Sequence, residues 1–265
     1  MRIKKKFAVG FITYRPENSF FNRLDLLTND GLGVYVFDNT PDLEWKNAPT
    51  PCIKYITAGK NVGLGIGLSI LCSTSFYDGY RYLLFFDQDT GFSKETINYI
   101  GDFIDAHDES IIAENAAVVF ESSVANSKNR FDIRKVDLAI SSGSLFVLRN
   151  MRKIGWHNEK YFVDGVDYEF CLRARHASLG ITKCTNTPGF DHVSEQPDKV
   201  FVLWGKTFLL RIYSLARIRD TLGSYIKLMF AALIKFDLKM VYLFARSMAI
   251  YCSGQVVSRV VLRKF

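Results

Sequence analysis

The sequence predicts a single α/β domain followed by a basic helical appendage, and three observations predict it. The chain has 265 residues and 48% hydrophobic content, enough for one good core and tight for two full domains. Short apolar runs ending in carboxylates or turn formers alternate with stretches of helical spacing, as buried strands joined by helices do. The charge is uneven: residues 199–265 carry 12 Lys and Arg against 2 Asp and Glu, a local +10, whereas the first 198 residues sum to −3. The division therefore falls near residue 200, with an α/β domain over 1–200 and a tail over 201–265 that meets an anionic surface or a second subunit.

Other classes are excluded early. The five cysteines, Cys52, Cys72, Cys171, Cys184 and Cys252, form no CxxC and no zinc-finger spacing, which fits free thiols in a reducing cytoplasm. The N-terminal MRIKKKFAVGFITY has a basic start and an apolar run, but Arg15 and Pro16 interrupt it and no small-residue cleavage site follows. It reads as a lead-in to the first strand.

Taken in order, Phe7 to Thr13 (FAVGFIT) is a buried first strand ended by Tyr14-Arg15-Pro16, because proline removes a donor and restricts the residue before it. Val34 to Phe37 is a second strand that delivers Asp38, followed by Asn39 and Thr40. That carboxylate either accepts hydrogen bonds from a ribose or base or caps its own turn. Tyr55 to Thr57 leads into Gly59-Lys60-Asn61-Val62-Gly63-Leu64-Gly65-Ile66-Gly67 and a helical pattern at Leu64, Leu68 and Leu71. A glycine-rich loop opening a helix can offer N–H groups to an anion. Its G-x-G-x-G spacing departs from the dinucleotide fingerprint.

Tyr82 to Ser93, YLLFFDQDTGFS, is the most informative stretch. An apolar strand ends in Asp87 and Asp89, at the strand end where α/β sheets collect ligands. Carboxylates so spaced can share a hard cation such as Mg²⁺ with a substrate diphosphate, although a solvated turn is the more ordinary reading of an isolated D-x-D. An amphipathic segment over Lys94–Ala106, a strand over Ala116–Phe120 and an exposed loop over Glu121–Arg134 follow.

A second dense region spans Ala139 to Ile181. Ser141-Ser142-Gly143-Ser144 leads into the strand LFVL, and Ile154-Gly155-Trp156 closes a short helix. Asp164-Gly165-Val166-Asp167-Tyr168-Glu169 opens a helix with Phe170, Ala174 and Ala177 on one side. Carboxylates there can cap free N–H groups, but three exceed what a cap requires, which makes one a candidate general base. After the strand-like ITKC and a turn at Pro188-Gly189 comes His192, placed to reach a metal.

The order TYRP, VFDNT, GKNVGLGIG, FFDQD, SSGSLFVL, FVDGVDYEFCLRARHASLG and a late histidine resembles inverting glycosyltransferases of family 2 with the GT-A fold, a Rossmann-like mixed sheet flanked by helices. Within that family it looks most like bacterial rhamnosyltransferases, over about residues 6–195. The resemblance implies that Thr13, Tyr14, Arg15 and Asp38 bind the nucleoside, that Lys60, Asn61 and Gly63 line its pocket, that Gln88 binds the nucleotide-sugar, and that Asp87 meets the ribose or the metal. It further implies Asp89 and His192 as ligands of Mg²⁺ or Mn²⁺, Asp167 as the base, and Glu169 and Arg173 as its support. Many relatives carry an acid just before the base; Val166 stands here, which leaves the part of Asp164 open. The implied donor is dTDP-rhamnose, with UDP-sugars as the other class, and the implied acceptor is a lipid-linked or cell-surface glycan such as O-antigen.

The tail from Trp204 to Phe265 reads as helical, apolar and basic. Lys235, Lys239 and Arg246 project to one side and Ile226, Phe230, Leu233 and Phe244 to the other, with Asp237 dividing it into two helices. No uncharged apolar run approaches the roughly 18 residues of a bilayer span. An interfacial helix pair on the inner face of the cell membrane fits better, with packing on the enzyme or self-association as the alternative and nucleic acid disfavoured. A haloacid dehalogenase-type phosphatase using Asp87 and Asp89, and a glycan-binding protein without turnover, are the competing functional readings.

Overall fold

The computed structural model describes residues 7–29, 31–41, 53–107, 113–122, 129–192, 199–203 and 206–262. Its first strand, β1 (Phe7–Thr13), shows why a sheet assembles here: Phe7, Val9 and Phe11 point to one face and Ala8, Gly10 and Ile12 to the other, and nearly all are buried. In chain order there follow α1 (Asn18–Asn29), β2 (Val34–Asp38), β3 (Ile53–Thr57), α2 (Gly63–Tyr77), β4 (Tyr82–Asp87) and β5 (Thr90–Gly91). Next come α3 (Lys94–His107), β6 (Asn115–Phe120), β7 (Asp132–Val136), β8 (Ser144–Val147), α4 (Leu148–Ile154), α5 (Val166–His176), β9 (Gly180–Thr185) and β10 (Asp191–His192). The chain closes with β11 (Lys199–Leu203), β12 (Lys206–Leu210), α6 (Leu215–Ile234) and α7 (Leu238–Leu262).

Eight strands form one mixed sheet in the order β3-β2-β1-β4-β8-β6-β9-β7. β3, β2, β1 and β4 run parallel, and β8 enters antiparallel between β4 and β6. Parallel register sets Thr13 opposite Asp38 and Ile12 opposite Asp87, so three strands end along one edge. That edge is the crevice where open α/β sheets bind ligands.

Alternation dictates what covers each face. Val9, Phe11, Val34, Val36, Leu84 and Phe86 form one core with Phe20, Leu24 and Leu27 of α1 and Ile97, Ile100 and Phe103 of α3. Phe86 stacks on Phe92 at 4.8 Å, with Phe11 edge-on to Phe20 at 5.3 Å. Each such aromatic contributes about 1.5–3 kcal/mol by burial. The opposite face receives α2: a Cβ on Gly67 would stand 2.7 Å from Ile12 and 3.1 Å from Phe37, so glycine lets helix and sheet approach.

The chain divides into two compact units, Met1–Val193 and Ser194–Phe265. In the second, the segment read from sequence as helical from Trp204 onward instead contains β12, which pairs antiparallel with β11. Its β-branched and aromatic Thr207 and Phe208 favour a strand over a helix. Two helices do follow, broken at residues 235–237. Phe244 does not share the exposed apolar side with Phe230; it is buried with Leu228, Ala232 and Met240. In the first unit, β7 begins inside the stretch expected as exposed loop, of which residues 123–128 lie outside the described residues. Ala177 is exposed past the end of α5 instead of sharing the buried side of Phe170 and Ala174. Among the described residues, no helix is long and apolar enough to cross a membrane.

Candidate functional site

The floor of the crevice is built by the ends of β1 and β2. Asn39 N donates to Thr13 O at 2.8 Å, Thr40 N to Asp38 Oδ1 at 2.7 Å, and Arg15 N to Thr40 Oγ1 at 2.7 Å. Asp38 is 0% exposed, yet its Oδ2 and the neighbouring Thr13 Oγ1 have no hydrogen-bond partner among the described residues. Buried polar atoms are almost always paired, and leaving one unpaired costs about 1–3 kcal/mol. Two such atoms at a strand-end crevice could be met by a ligand carrying N–H or O–H groups. Tyr14 stands at the rim, with the Arg15 guanidinium 5.3 Å from its ring centroid.

The Asp-Gln-Asp turn follows β4. Asp87 N donates to Ser142 Oγ at 3.1 Å, and Ser142 Oγ also bonds Thr90 Oγ1 at 2.8 Å. The Gln88 carboxamide accepts from Tyr14 N at 2.7 Å and donates to Tyr14 O at 3.4 Å, while Arg23 Nη2 of α1 donates to Gln88 O. These bonds staple the turn to the loop after β1. Gln88 holds the turn through these bonds. Burial, reinforced by the charges of Asp167 and Asp89 and opposed by Ser142, pushes the Asp87 carboxyl up to about 7.

Asp167 comes from the first turn of α5. Ser141 Oγ donates to Asp167 Oδ1, and burial outweighs that bond to push the carboxyl up to about 6, with Asp164 adding to the rise. A small cavity walled by Ile140, Phe146, Phe170 and Cys171 lies against it, which supplies the desolvation. Helix capping does not explain this carboxylate: the N-cap of α5 is Gly165, at φ 91°, with no side-chain cap. The segment Ser141–Ser142 joins both halves of the site, one serine on Asp167 and the next on the Asp87 backbone.

Glu169 and Arg173 are occupied with each other. Arg173 grips Glu169 through Nε at 3.0 Å and Nη2 at 2.9 Å, and its Nη1 donates to the carbonyls of Ile154, at 2.9 Å, and Gly155. The pair anchors α5, the helix that carries Asp167, to the end of α4 and the residue after it. The glycine loop also differs from an open anion cradle. Gly63 N donates to Asn61 Oδ1 at 3.0 Å and Leu64 N to Phe162 O at 2.5 Å, so two leading N–H groups are already engaged. Asn39 ties this loop to β2 through Val62 N at 2.9 Å. Lys60 is exposed beside it.

A divalent cation needs several oxygen or nitrogen donors around it. Among the described residues, no three His, Cys, Asp or Glu side chains gather closely enough to hold one. The Asp87–Asp89 pair fits the mode in which Mg²⁺ takes one or two carboxylates and completes its shell with phosphate oxygens and water. β10 pairs with β5 so that His192 stands opposite Thr90, one residue from Asp89. Sequence reasoning missed Arg23, Ser141 and Ser142 as working residues. For the serines, their position before a buried strand was a signal; for Arg23, one residue on a helix, there was none.

No family model matches the chain. It is 26% identical over 186 residues to the dTDP-rhamnosyl transferase RfbF of Shigella flexneri, a match covering 61% of this chain and 60% of that protein. The chain thus matches less than two thirds of this curated relative's length. The crystal structure of S. aureus TarS matches with a TM-score of 0.53 at 16% identity, over 70% of this chain and 36% of TarS. That of GalNAc-T7 with UDP, GalNAc and Mn²⁺ matches with a TM-score of 0.58 at 9% identity, over 94% of this chain and 57% of the other. The chain has the GT-A glycosyltransferase fold that the order of its motifs implies. The dehalogenase-type alternative rested on the Asp87-Gln88-Asp89 string alone and finds no support in this fold.

Proposed function

We propose that this GT-A chain is a metal-dependent inverting glycosyltransferase that moves a sugar, L-rhamnose from dTDP-rhamnose, onto a lipid-linked or cell-surface polysaccharide acceptor. One observation carries the reading: the adjacent Ser141 and Ser142 join Asp167 and Asp87, 80 positions apart in sequence, through Ser141 Oγ on Asp167 Oδ1 and Asp87 N on Ser142 Oγ, at the strand-end edge where Asp38 and Thr13 keep unpartnered atoms. A base and a diphosphate centre are what one in-line displacement needs. The rhamnosyl donor is supported by the 26% identity to RfbF.

In this reading Asp38 and Thr13 accept and donate to the nucleoside, with Tyr14 and Arg15 at its rim and Lys60, Asn61 and Gly63 beside it. Asp89, with Asp87 and His192, would hold Mg²⁺ or Mn²⁺, which when bound offsets the charge on the leaving nucleoside diphosphate. Ser141 holds the Asp167 carboxyl through both its hydroxyl and its backbone, and that carboxyl takes the acceptor's hydroxyl proton. Attack from the face opposite the leaving group inverts the anomeric carbon, as in inverting glycoside chemistry. Asp164 and the Glu169–Arg173 pair act indirectly, through charge and through the seat of α5. The basic tail supports a peripheral position on the anionic inner face of the cell membrane, where a cytoplasmic enzyme meets a lipid-linked acceptor.

The test is nucleotide release from dTDP-rhamnose and a panel of UDP-sugars, with Mg²⁺, Mn²⁺ or chelator, with and without a rhamnan-type acceptor. Acceptor-stimulated dTDP release that chelator abolishes is the expected result. Release from none of these donors would sink the reading, and metal-independent donor binding unchanged in Asp89→Ala would overturn the metal assignment.

A further inference from the structure

The turn between α6 and α7 carries a residue that the fold alone does not account for. Phe236 N donates to Leu233 O at 2.9 Å and Asp237 N to Ala232 O at 3.0 Å, the two bonds of a Schellman motif. The position between them requires left-handed backbone and is ordinarily glycine; here it is Phe236, at φ 56°. Its side chain gains nothing by packing, because Phe236 is 87% exposed. A strained backbone that displays a large apolar ring to solvent is a cost the hairpin bears for some other reason.

The surroundings say what that reason is. Phe230, Ile234, Leu238 and Tyr242 are exposed around the same apex, and the exposed Lys227, Lys235 and Lys239 stand among them. From Thr221 to the end of the chain there are seven Lys and Arg and one acid, Asp237. Asp237 Oδ1 accepts from Met240 N at 3.3 Å, so that acid is turned onto the N-terminus of α7. A second copy of this chain would bring the same cations to an interface and repel. An anionic bilayer matches both properties, since it takes aromatic and aliphatic groups at the headgroup–acyl boundary and pairs with lysines above it.

We propose that the apex of the α6–α7 hairpin inserts into the headgroup region of an anionic membrane, with Phe236 as the leading group. This deepens the peripheral-membrane reading of the tail from two helices lying flat to a tip that enters, and it is independent of sugar transfer. The experiment uses the full chain, without donor, on vesicles of phosphatidylcholine with and without phosphatidylglycerol. Binding is expected to need phosphatidylglycerol and to weaken with salt. Phe236→Trp should shift its emission to the blue on binding and be quenched by brominated lipid. Phe236→Asp should weaken binding by at least about tenfold, the scale of losing a buried aromatic. Phe236→Gly relieves the backbone, so it should melt no lower than wild type while losing binding by about the same factor, which separates insertion from folding. Unchanged Trp emission with vesicles overturns the proposal. So does a lipid-free dimer, seen by sedimentation, that Phe236→Asp dissolves.

Discussion

Asp167 and Asp87 have environments that disfavour their charged forms, and this makes two predictions at the residue scale. Both carboxyls sit above the ordinary 3.8, at about 6 and about 7, because burial strips water from them. The folded state therefore holds protons that the unfolded chain has released. The stability these groups contribute is fully present below about pH 4 and is lost as pH rises through about 6 for Asp167 and about 7 for Asp87. Without metal, Asp87→Asn should melt above wild type at about pH 8 and approach it at about pH 5, and Mg²⁺ should narrow the gap by favouring the ionised wild-type carboxyl. Equal melting curves at the higher pH would contradict the burial argument. In the proposed reaction Asp167 acts as the base only when ionised, so that reading expects turnover to rise with pH through about 6 and level off. Asp167→Asn should lose about 10²–10⁴-fold in turnover while retaining donor affinity; parallel loss of both in calorimetry and kinetics would assign it to binding instead.

At the scale of elements, two glycines should respond in opposite directions. A Cβ on Gly65 would stand 2.5 Å from Tyr161 O and 2.7 Å from Asn158 O, backbone atoms that cannot swing aside. Gly65→Ala should therefore destabilise by about 1–3 kcal/mol, the range for overpacking. Gly101, inside α3, has nothing within 4 Å of a Cβ, so Gly101→Ala should stabilise by about 0.5–1 kcal/mol through helix propensity. Urea midpoints at constant slope read both signs. The contrast also shows why some of the architecture was legible beforehand. FAVGFIT and YLLFFD carry their strand character in consecutive residues, the first ended by Tyr14-Arg15-Pro16 and the second by Asp87, so β1, β4 and the Asp-Gln-Asp turn could be located from the letters. What Gln88 does could not, since its carboxamide meets Tyr14 only after β1 and β4 pair. The same holds for Ser141 on Asp167, for the glycine loop against Phe162, and for β5 and β10, each two residues long. A spacing rule reaches along one element, whereas these contacts are set by which elements become neighbours.

At the scale of the molecule, the charge asymmetry coincides with a division of packing. The core of Met1–Val193 is the aromatic cluster between sheet and helices around Phe11, Phe86 and Phe103. Ser194–Phe265 has a separate seam of Leu228, Ala232, Met240 and Phe244 between α6 and α7, supplemented by Gln255, which bonds Arg211 O at 3.0 Å and Tyr213 N at 3.2 Å. Units with their own cores can unfold separately. Scanning calorimetry should therefore resolve two transitions, the smaller in enthalpy belonging to the second unit because enthalpy scales with length. Phe244→Ala should lower that transition alone, at a cost of about 3–5 kcal/mol typical of a buried phenylalanine, while Phe86→Ala should lower the other by a similar amount. A single transition whose calorimetric and van't Hoff enthalpies agree, shifted as a whole by either substitution, would mean that the two units fold as one cooperative body. The basic hairpin would then be part of the first unit's stability and not a separately folding element.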